Sequence, residues 1–507
     1  MALKDLSHAA ERQALSLLLD GFLKKVNNAQ DEEARKETWL KLFDAVEKRY
    51  SNVIDPKRVE KAKQDVRDNG RWIKYLNRIV DETNPNVLKT MILNLGYEAF
   101  FKGTTTVREM RKKYNCEIPW LILFDPTMAC NEHCVGCWSG TYGHKHSMTY
   151  ELMDKIVTEG SALGVHVYIM TGGEPMVRKK DILRLAKEHH DCAFAMFTNS
   201  TLIDEEFCQE VQRLGNIEFF VSIEGYADTN DARRGQGHFE AVMKAMDLMK
   251  KYGLIFGTSI CYTRANIDVV TSEKFLRMVA DKGARFGFFF HYMPVGKNAA
   301  VDLIPTVEQR QEIIRRIRYY RSDESDLPFF PMDFQNDGEY VGGCIAGGRN
   351  YFHINANGDA EPCVFIHFSD RNLNDCSLLE ALQSPLFTAY REGQPFNRNH
   401  LRPCPMLENP DLLRRMVKES GAHQTNDEAP EEVDELCAKA DAYSKEWAPV
   451  AEEIWKSQPH KKLWYENFTE EKREHPELAA FQHPDGTDEI KCLKDMKKDE
   501  KTAASNR

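Results

Sequence analysis

Residues 120–137 read Trp-Leu-Ile-Leu-Phe-Asp-Pro-Thr-Met-Ala-Cys-Asn-Glu-His-Cys-Val-Gly-Cys. The apolar run predicts a buried strand over Leu121–Phe124, because a short stretch of large apolar side chains needs cover on both faces. Directly after it, Cys130, Cys134 and Cys137 fall in one short loop at C-x3-C-x2-C spacing. Thiolates that close together can hold three irons of a cubane iron–sulfur cluster, which ordinarily takes four cysteines, so the fourth iron stays open to another ligand. A structural zinc, with His133 or His146 as fourth ligand, is the competing use of the same spacing.

Outward from this loop, short apolar runs alternate with helical periods. Strands are predicted at Leu121–Phe124, Val165–Met170, Ala193–Thr198, Ile217–Ile223, Ile255–Tyr262 and Phe286–Tyr292. Helical patterns fill 149–162, 180–190, 204–214, 238–251 and 272–282. In the fourth of these Phe239, Val242, Met243, Met246 and Met249 share one face. Strands alternating with helices imply right-handed βαβ units on a parallel sheet. Six such units do not close a full barrel. The expected fold class is α/β, a partial (βα)6 barrel with its site at the carboxyl ends of the strands. Around this core, 116–325, the pattern divides the chain into a helical region, 1–115, a Gly-, Cys- and Pro-rich domain, 326–420, and a charged helical tail, 421–507. Val87–Lys102 reads as an amphipathic helix packed on the core, and Lys497–Arg507 as disordered.

The chain has 507 residues, a formal net charge of −11 and 13 cysteines. The acidic balance argues against a large non-specific grip on nucleic acid. No run of 18 apolar residues offers a transmembrane helix, and the first 22 residues lack the pattern of a secretion signal. Thirteen cysteines in such a chain favour metal ligands and free thiols over disulfides, and a cytoplasmic setting.

At the end of the second strand stands Thr171-Gly172-Gly173-Glu174-Pro175. Two glycines allow close backbone approach, and exposed backbone groups beside a carboxylate make a cradle for an amine. Thr198-Asn199-Ser200-Thr201 follows the third strand, Ser222-Ile223-Glu224-Gly225 ends the fourth, and Tyr292-Met293-Pro294-Val295-Gly296 follows the sixth. In this order, on successive strand ends, the motifs resemble the radical S-adenosylmethionine (radical SAM) superfamily over about residues 119–300, and more loosely beyond.

The resemblance implies a [4Fe–4S] cluster on Cys130, Cys134 and Cys137, whose open iron takes the amino and carboxylate groups of SAM. It implies reductive cleavage of SAM to a 5′-deoxyadenosyl radical that abstracts hydrogen from a substrate. Gly172, Gly173, Glu174 and Pro175 match the segment that receives the methionine amino group. Asn199 belongs to a turn lining the pocket, Ser222 and Glu224 to the segment that meets the ribose, and Tyr292 to the position that packs the adenine. Arg234 matches the arginine that pairs with the SAM carboxylate, a task suited to a guanidinium fork. Relatives usually carry an aromatic just before the third cysteine, whereas this chain has Gly136 and offers Trp138 nearby.

Cys344, Cys363 and Cys404 form a sparser set. Asn357-Gly358, a hairpin turn signal, stands shortly ahead of Cys363. This resembles the auxiliary-cluster domains of the SPASM and twitch type and implies one auxiliary [4Fe–4S] cluster on Cys344, Cys363 and Cys404, with Cys376 as the further candidate. Cys116, Cys192, Cys208, Cys261, Cys437 and Cys492 lack such company and are assigned to packing or surface. Asp333 is a candidate general base between the two domains, with a turn cap as its alternative. His144 and His146 could face substrate. The resemblance also implies an external one-electron donor such as flavodoxin or ferredoxin. The substrate stays open, between a peptide or protein and a small molecule or lipid. A non-catalytic zinc or iron–sulfur scaffold is the rival from another class.

Overall fold

The computed structural model describes residues 3–50, 56–296 and 299–457. Cys492 and the expected disordered tail at 497–507 lie outside them. Strands β1 (Leu121–Thr127), β2 (Val167–Gly172), β3 (Ala193–Thr198), β4 (Ile217–Ser222), β5 (Phe256–Tyr262) and β6 (Phe286–His291) pair in parallel, each with the next. Between them run the helices Tyr150–Ala162, Lys179–Glu188, Glu205–Leu214, His238–Lys251 and Glu273–Asp281. Three of these begin at side-chain caps: Thr149, Asp204 and Ser272 accept from the amides of Leu152, Phe207 and Phe275. Each cap satisfies an amide that the helix start leaves without a partner.

The six expected units are therefore present, and the sheet extends beyond them at both edges. The helix Val307–Arg321 is a sixth crossover, leading to β7 (Phe330–Asp333), parallel to β6. At the other edge β8 (His353–Ile354) runs parallel to β1 and turns back as β9 (Ala360–Glu361). The order is β7-β6-β5-β4-β3-β2-β1-β8-β9, an open barrel of nine strands. The N-terminal stretch is helical, as expected. Val87 and Met91 enter the main core, and Asn94 donates to the carbonyl of Cys192 at 2.8 Å. The expected amphipathic helix is instead a short α-helix, Pro85–Met91, continued by the wider π-type turns of Ile92–Gly103.

Period-2 alternation divides the packing into two cores. Ile122, Phe124, Phe194, Met196 and Phe289 face the outer helices, whereas Leu121, Leu123, Phe197 and Phe290 face the barrel interior and the C-terminal region. Inside, Phe197 stacks on Phe220 at 4.7 Å between ring centres, and Phe290 lies 5.2 Å from Phe334. A buried ion pair ties the C-terminal region on. Arg310 and Glu408 meet at 2.7 Å, both wholly buried. The guanidinium also lies over Trp447 of the helix Val433–Ser457, and Glu408 accepts from the amide of Cys404.

Removing one member leaves the other charged, buried and alone, which is far more costly than losing both. In urea unfolding, Arg310→Leu should cost about 3–5 kcal/mol, and Arg310→Leu combined with Glu408→Leu should recover part of that loss.

Candidate active site

The cysteine loop hangs between the ends of β1 and β2. The amide of Gly173 donates to Thr127 and that of Glu174 to Ala129, each at 2.9 Å. Both glycines are needed for this approach. Gly172 has φ +101°, and a Cβ there would come within 2.5 Å of the Thr127 carbonyl oxygen. One on Gly173 would come within 2.4 Å of the carbonyls of Met128 and Ala129. The glycines thus admit the loop's own backbone at the site's edge. Glu174 is almost wholly buried. Its carboxylate accepts from Thr198 Oγ1 at 2.7 Å and from the amides of Met176 and Asn199 at 3.0 and 2.7 Å, joining the ends of β2 and β3. Burial pushes it up to about 7, against the pull of these bonds. Pro175 opens the turn Pro175–Arg178, and Asn199 donates to Asn131 of the cysteine loop at 2.8 Å.

From the far side, the carbonyl of Arg233 accepts from the amide of Val135 at 2.9 Å. Arg233 and Arg234 both reach Oε1 of Glu224, each at 2.6 Å. The other oxygen of Glu224 accepts from the amide of Cys261 at 3.1 Å. Glu224 is wholly buried, beneath both guanidiniums. Here the structure differs from the expectation that Glu224 meets a ribose: the carboxylate holds two arginines and a strand amide, while Ser222 faces the cavity. Arg234 Nη1 stands 3.9 Å from Cys134 Sγ.

These side chains line a cavity of about 250 Å3 with Cys130, Cys134, Cys137, Gly172, Gly173, Glu174, Asn199, Ser222 and Tyr292 on its walls. Its charged side chains, Glu132, Glu174, Arg233 and Arg234, belong to the cysteine-loop end. The opposite wall is Leu123, Ile169, Phe197, Phe288, Phe290 and Phe365. Tyr292 occupies the space that Gly136 leaves. A Cβ on Gly136 (φ +68°) would come within 2.7 Å of the Tyr292 ring. Trp138 also lines the cavity and lies edge-on to Phe365 at 6.3 Å and to His353 at 5.9 Å. Burial pushes the Cys130 thiol up to about 11.

A second cavity, of about 200 Å3, lies alongside, with Cys344, Cys363 and Cys404 on its walls. Among the described residues, neither cysteine trio has its three sulfurs within 4.8 Å of one another. A single tetrahedral zinc with bonds of about 2.3 Å would hold them about 3.8 Å apart. His146 is paired with Asp427 at 2.7 Å, and His144 with the carbonyl of Met128. Cys376 is placed elsewhere: it packs against the outer core, and its carbonyl accepts from Lys155. Asp333 borders the second cavity, but its oxygens accept from the side chain and amide of Asn336 at 2.8 and 3.2 Å, the work of a turn cap. Burial, with Asp337 nearby, pushes it up to about 6.

Residues 125–279 match the family model described as the Radical SAM superfamily. The chain carries a radical SAM core. It is 32% identical over 148 residues to an uncharacterized protein of Archaeoglobus fulgidus, a match covering 28% of this chain and only 35% of that protein. It is 29% identical to the mycofactocin maturase MftC of Mycolicibacterium smegmatis, over 55% of this chain and 74% of that one. Among solved structures, Streptococcus suis SuiB bound to S-adenosylmethionine superposes with a TM-score of 0.48 at 17% identity, covering 59% of this chain and 75% of SuiB. Among the described residues, no helix is long and apolar enough to cross a membrane.

Three features of the radical SAM core lie outside the sequence reading. Arg233 shares Glu224 with Arg234, and Cys261, which sequence assigned to packing, lines the cavity. Alternation along β5 puts Ser259 and Cys261 on the inner face and was the available signal. The third is a buried chain under the cysteine loop. His353 lies between Asp125 at 3.0 Å and Glu361 at 2.7 Å, all three wholly buried, and Tyr142 donates to Glu361. It joins β1, β8 and β9 to the segment after Cys137.

Burial pulls His353 down, but the carboxylates on its two nitrogens outweigh burial and hold it up at about 10. Its stabilisation is complete below its unfolded value of 6.5 and is lost as the pH climbs through about 10. The unfolding free energy of the protein, minus that of His353→Gln, should therefore shrink by on the order of a few kcal/mol between about pH 8 and about pH 10.5. A difference that stays flat across that range would show that His353 is neutral in the fold.

Proposed function

We propose that this chain is a radical SAM enzyme that cleaves S-adenosylmethionine reductively and abstracts hydrogen from a substrate held in the apolar part of the barrel. The observation that carries this reading is the joint placement of three thiols, a close-packed glycine edge and two anchored guanidiniums around one cavity. Cys130, Cys134 and Cys137 would hold the cluster. When bound, a [4Fe–4S] cluster with an open iron supplies the electron that splits SAM into methionine and a 5′-deoxyadenosyl radical.

The protein's own part is positioning and exclusion of water. Arg234, kept charged and oriented by Glu224, pairs with the SAM carboxylate. The half-buried edge at Gly173, which borders the cavity, accepts from the amino group. Ser222 and Asn199 face the ribose, and the Tyr292 ring, seated over Gly136, packs the adenine. Beyond the sugar the wall is aromatic and aliphatic and carries no charged side chain, which favours an uncharged, apolar substrate group. The proposed electron donor is a flavodoxin or ferredoxin, and the second cysteine set holds an auxiliary cluster. A zinc scaffold has no use for paired arginines aimed at a cysteine loop.

Protein purified without oxygen should be brown, contain iron and sulfide, and release 5′-deoxyadenosine from SAM under reduction. Cys134→Ala should abolish that release. Arg234→Ala should weaken SAM binding about tenfold to a hundredfold, as for loss of a hydrogen bond to a charged group worth about 1.5–3 kcal/mol. Colourless protein carrying one zinc would support the scaffold instead.

A further inference from the structure

Among the described residues, one group of histidine, cysteine and carboxylate side chains brings its donor atoms within 4.8 Å of one another: His166, Asp191 and Cys192. His166 immediately precedes β2 and Cys192 immediately precedes β3. The group therefore sits at the amino ends of the strands, whereas the cysteine loop stands at the carboxyl ends. Parallel pairing sets the two residues side by side. Val167 faces Ala193 in register, and the amide of Ala193 donates to the carbonyl of His166 at 2.8 Å. The carbonyl of Cys192 accepts from Asn94 at 2.8 Å and from Asn216 at 3.1 Å. The backbone that carries the thiol is thus clamped on several sides.

Three kinds of donor converge on this point. Cys192 Sγ lies 3.8 Å from His166 Nδ1 and 3.9 Å from Asp191 Oδ1, and His166 Nδ1 lies 3.9 Å from Asp191 Oδ2. At that separation the imidazole and the carboxylate are too far apart to hydrogen-bond directly. A tetrahedral zinc, with bonds of about 2.3 Å to sulfur and about 2.0 Å to nitrogen and oxygen, holds such atoms about 3.3–3.6 Å apart. Closing the triangle takes a few tenths of an ångström. Asp191 can supply it, since its side chain is 38% exposed against 5% for His166.

The surroundings suit a divalent ion. A thiolate, a carboxylate and a neutral imidazole cancel the two charges of zinc, and a centre without net charge is the less costly one to bury. Thiolate with imidazole favours zinc over magnesium or calcium, which take oxygen ligands. Ser161 Oγ, 3.4 Å from the sulfur, is placed to support the thiolate. Glu98 is committed elsewhere, to Arg12 and Lys102 at 2.9 Å each. The fourth corner therefore falls to water, on the side that Asp191 opens to solvent.

We propose that His166, Asp191 and Cys192 bind one zinc ion, with water as the fourth ligand, at the end of the barrel opposite the cysteine loop. Binding forms three bonds from protein to metal, sends the Cys192 thiol proton to solvent and transfers no electron. The ion joins the starts of β2 and β3 beside the helical stretch 92–103, whose Asn94 holds the same turn. Cys192, which sequence assigned to packing, becomes a ligand.

The test uses the full chain, reconstituted without oxygen with iron and sulfide, given Zn2+ and freed of excess metal by gel filtration. Zinc K-edge X-ray absorption reads this ion without interference from iron. The expected result is about one zinc per chain with a single sulfur neighbour at about 2.3 Å and nitrogen or oxygen at about 2.0–2.2 Å. A zinc that had taken the place of a cluster would carry three sulfurs. Asp191→Ala, a change at a partly exposed side chain, should weaken zinc binding in chelator competition by at least about a hundredfold, the upper end of what loss of an outer-shell partner costs. Cys192→Ser should abolish the zinc–sulfur distance, and Cys376→Ser should leave it unchanged. Protein that retains no zinc, zinc with two or three sulfur neighbours, or an affinity that Asp191→Ala leaves unchanged would overturn the proposal.

Discussion

The site is built on the distance between two backbones. At Gly172 and Gly173 the end of β2 comes so close to the carbonyls of Thr127, Met128 and Ala129 that no side chain of any size can stand between them. That approach turns the chain after β1 outward as a loop and holds its first cysteine at the rim of the barrel. Glu174, buried beneath the same turn, locks the start of the next strand's loop to it through Thr198 and Asn199. Two strand ends and the cysteine loop thus become one rigid piece, the kind of support that a precise constellation of ligands needs.

The electrostatics follow the same economy. Two guanidiniums beside three thiols would repel each other, and Glu224 absorbs that by accepting from both while hidden from the cavity. One carboxylate thereby leaves the cavity with cationic donors at one end and an aromatic wall at the other. The ion pair of Arg310 and Glu408 does comparable work for the second cysteine set. It reaches the amide of Cys404 on one side and the ring of Trp447 on the other, so the C-terminal helix and the cysteine loop settle together.

Much of this was legible in the sequence. Short apolar runs located all six expected strands, and helical periods located the helices between them. Cysteine spacing and GGEP located the cavity's rim. What escaped was short or non-local. β7 is four residues long and includes Pro331, which argues against a strand wherever a ladder amide is needed. β8 and β9 have two residues each and exist only because β1 offers them an edge. Glu224 read as a ligand-facing acid because nothing local reveals that two arginines, nine and ten residues on, will fold back over it. The pairing of Tyr292 with Gly136 joins residues at opposite edges of the core, and Asp125, His353 and Glu361 meet only once the C-terminal region has docked.

The proposed chemistry depends on chelation of the SAM amino acid end by an iron that Cys130, Cys134 and Cys137 would leave free. Electron–nuclear double resonance of the reduced protein with SAM labelled at its amino nitrogen with 15N tests this most directly. A 15N coupling to the cluster signal, lost in Cys134→Ala, is the predicted result. A fully formed reduced cluster that binds SAM yet shows no 15N coupling would contradict it.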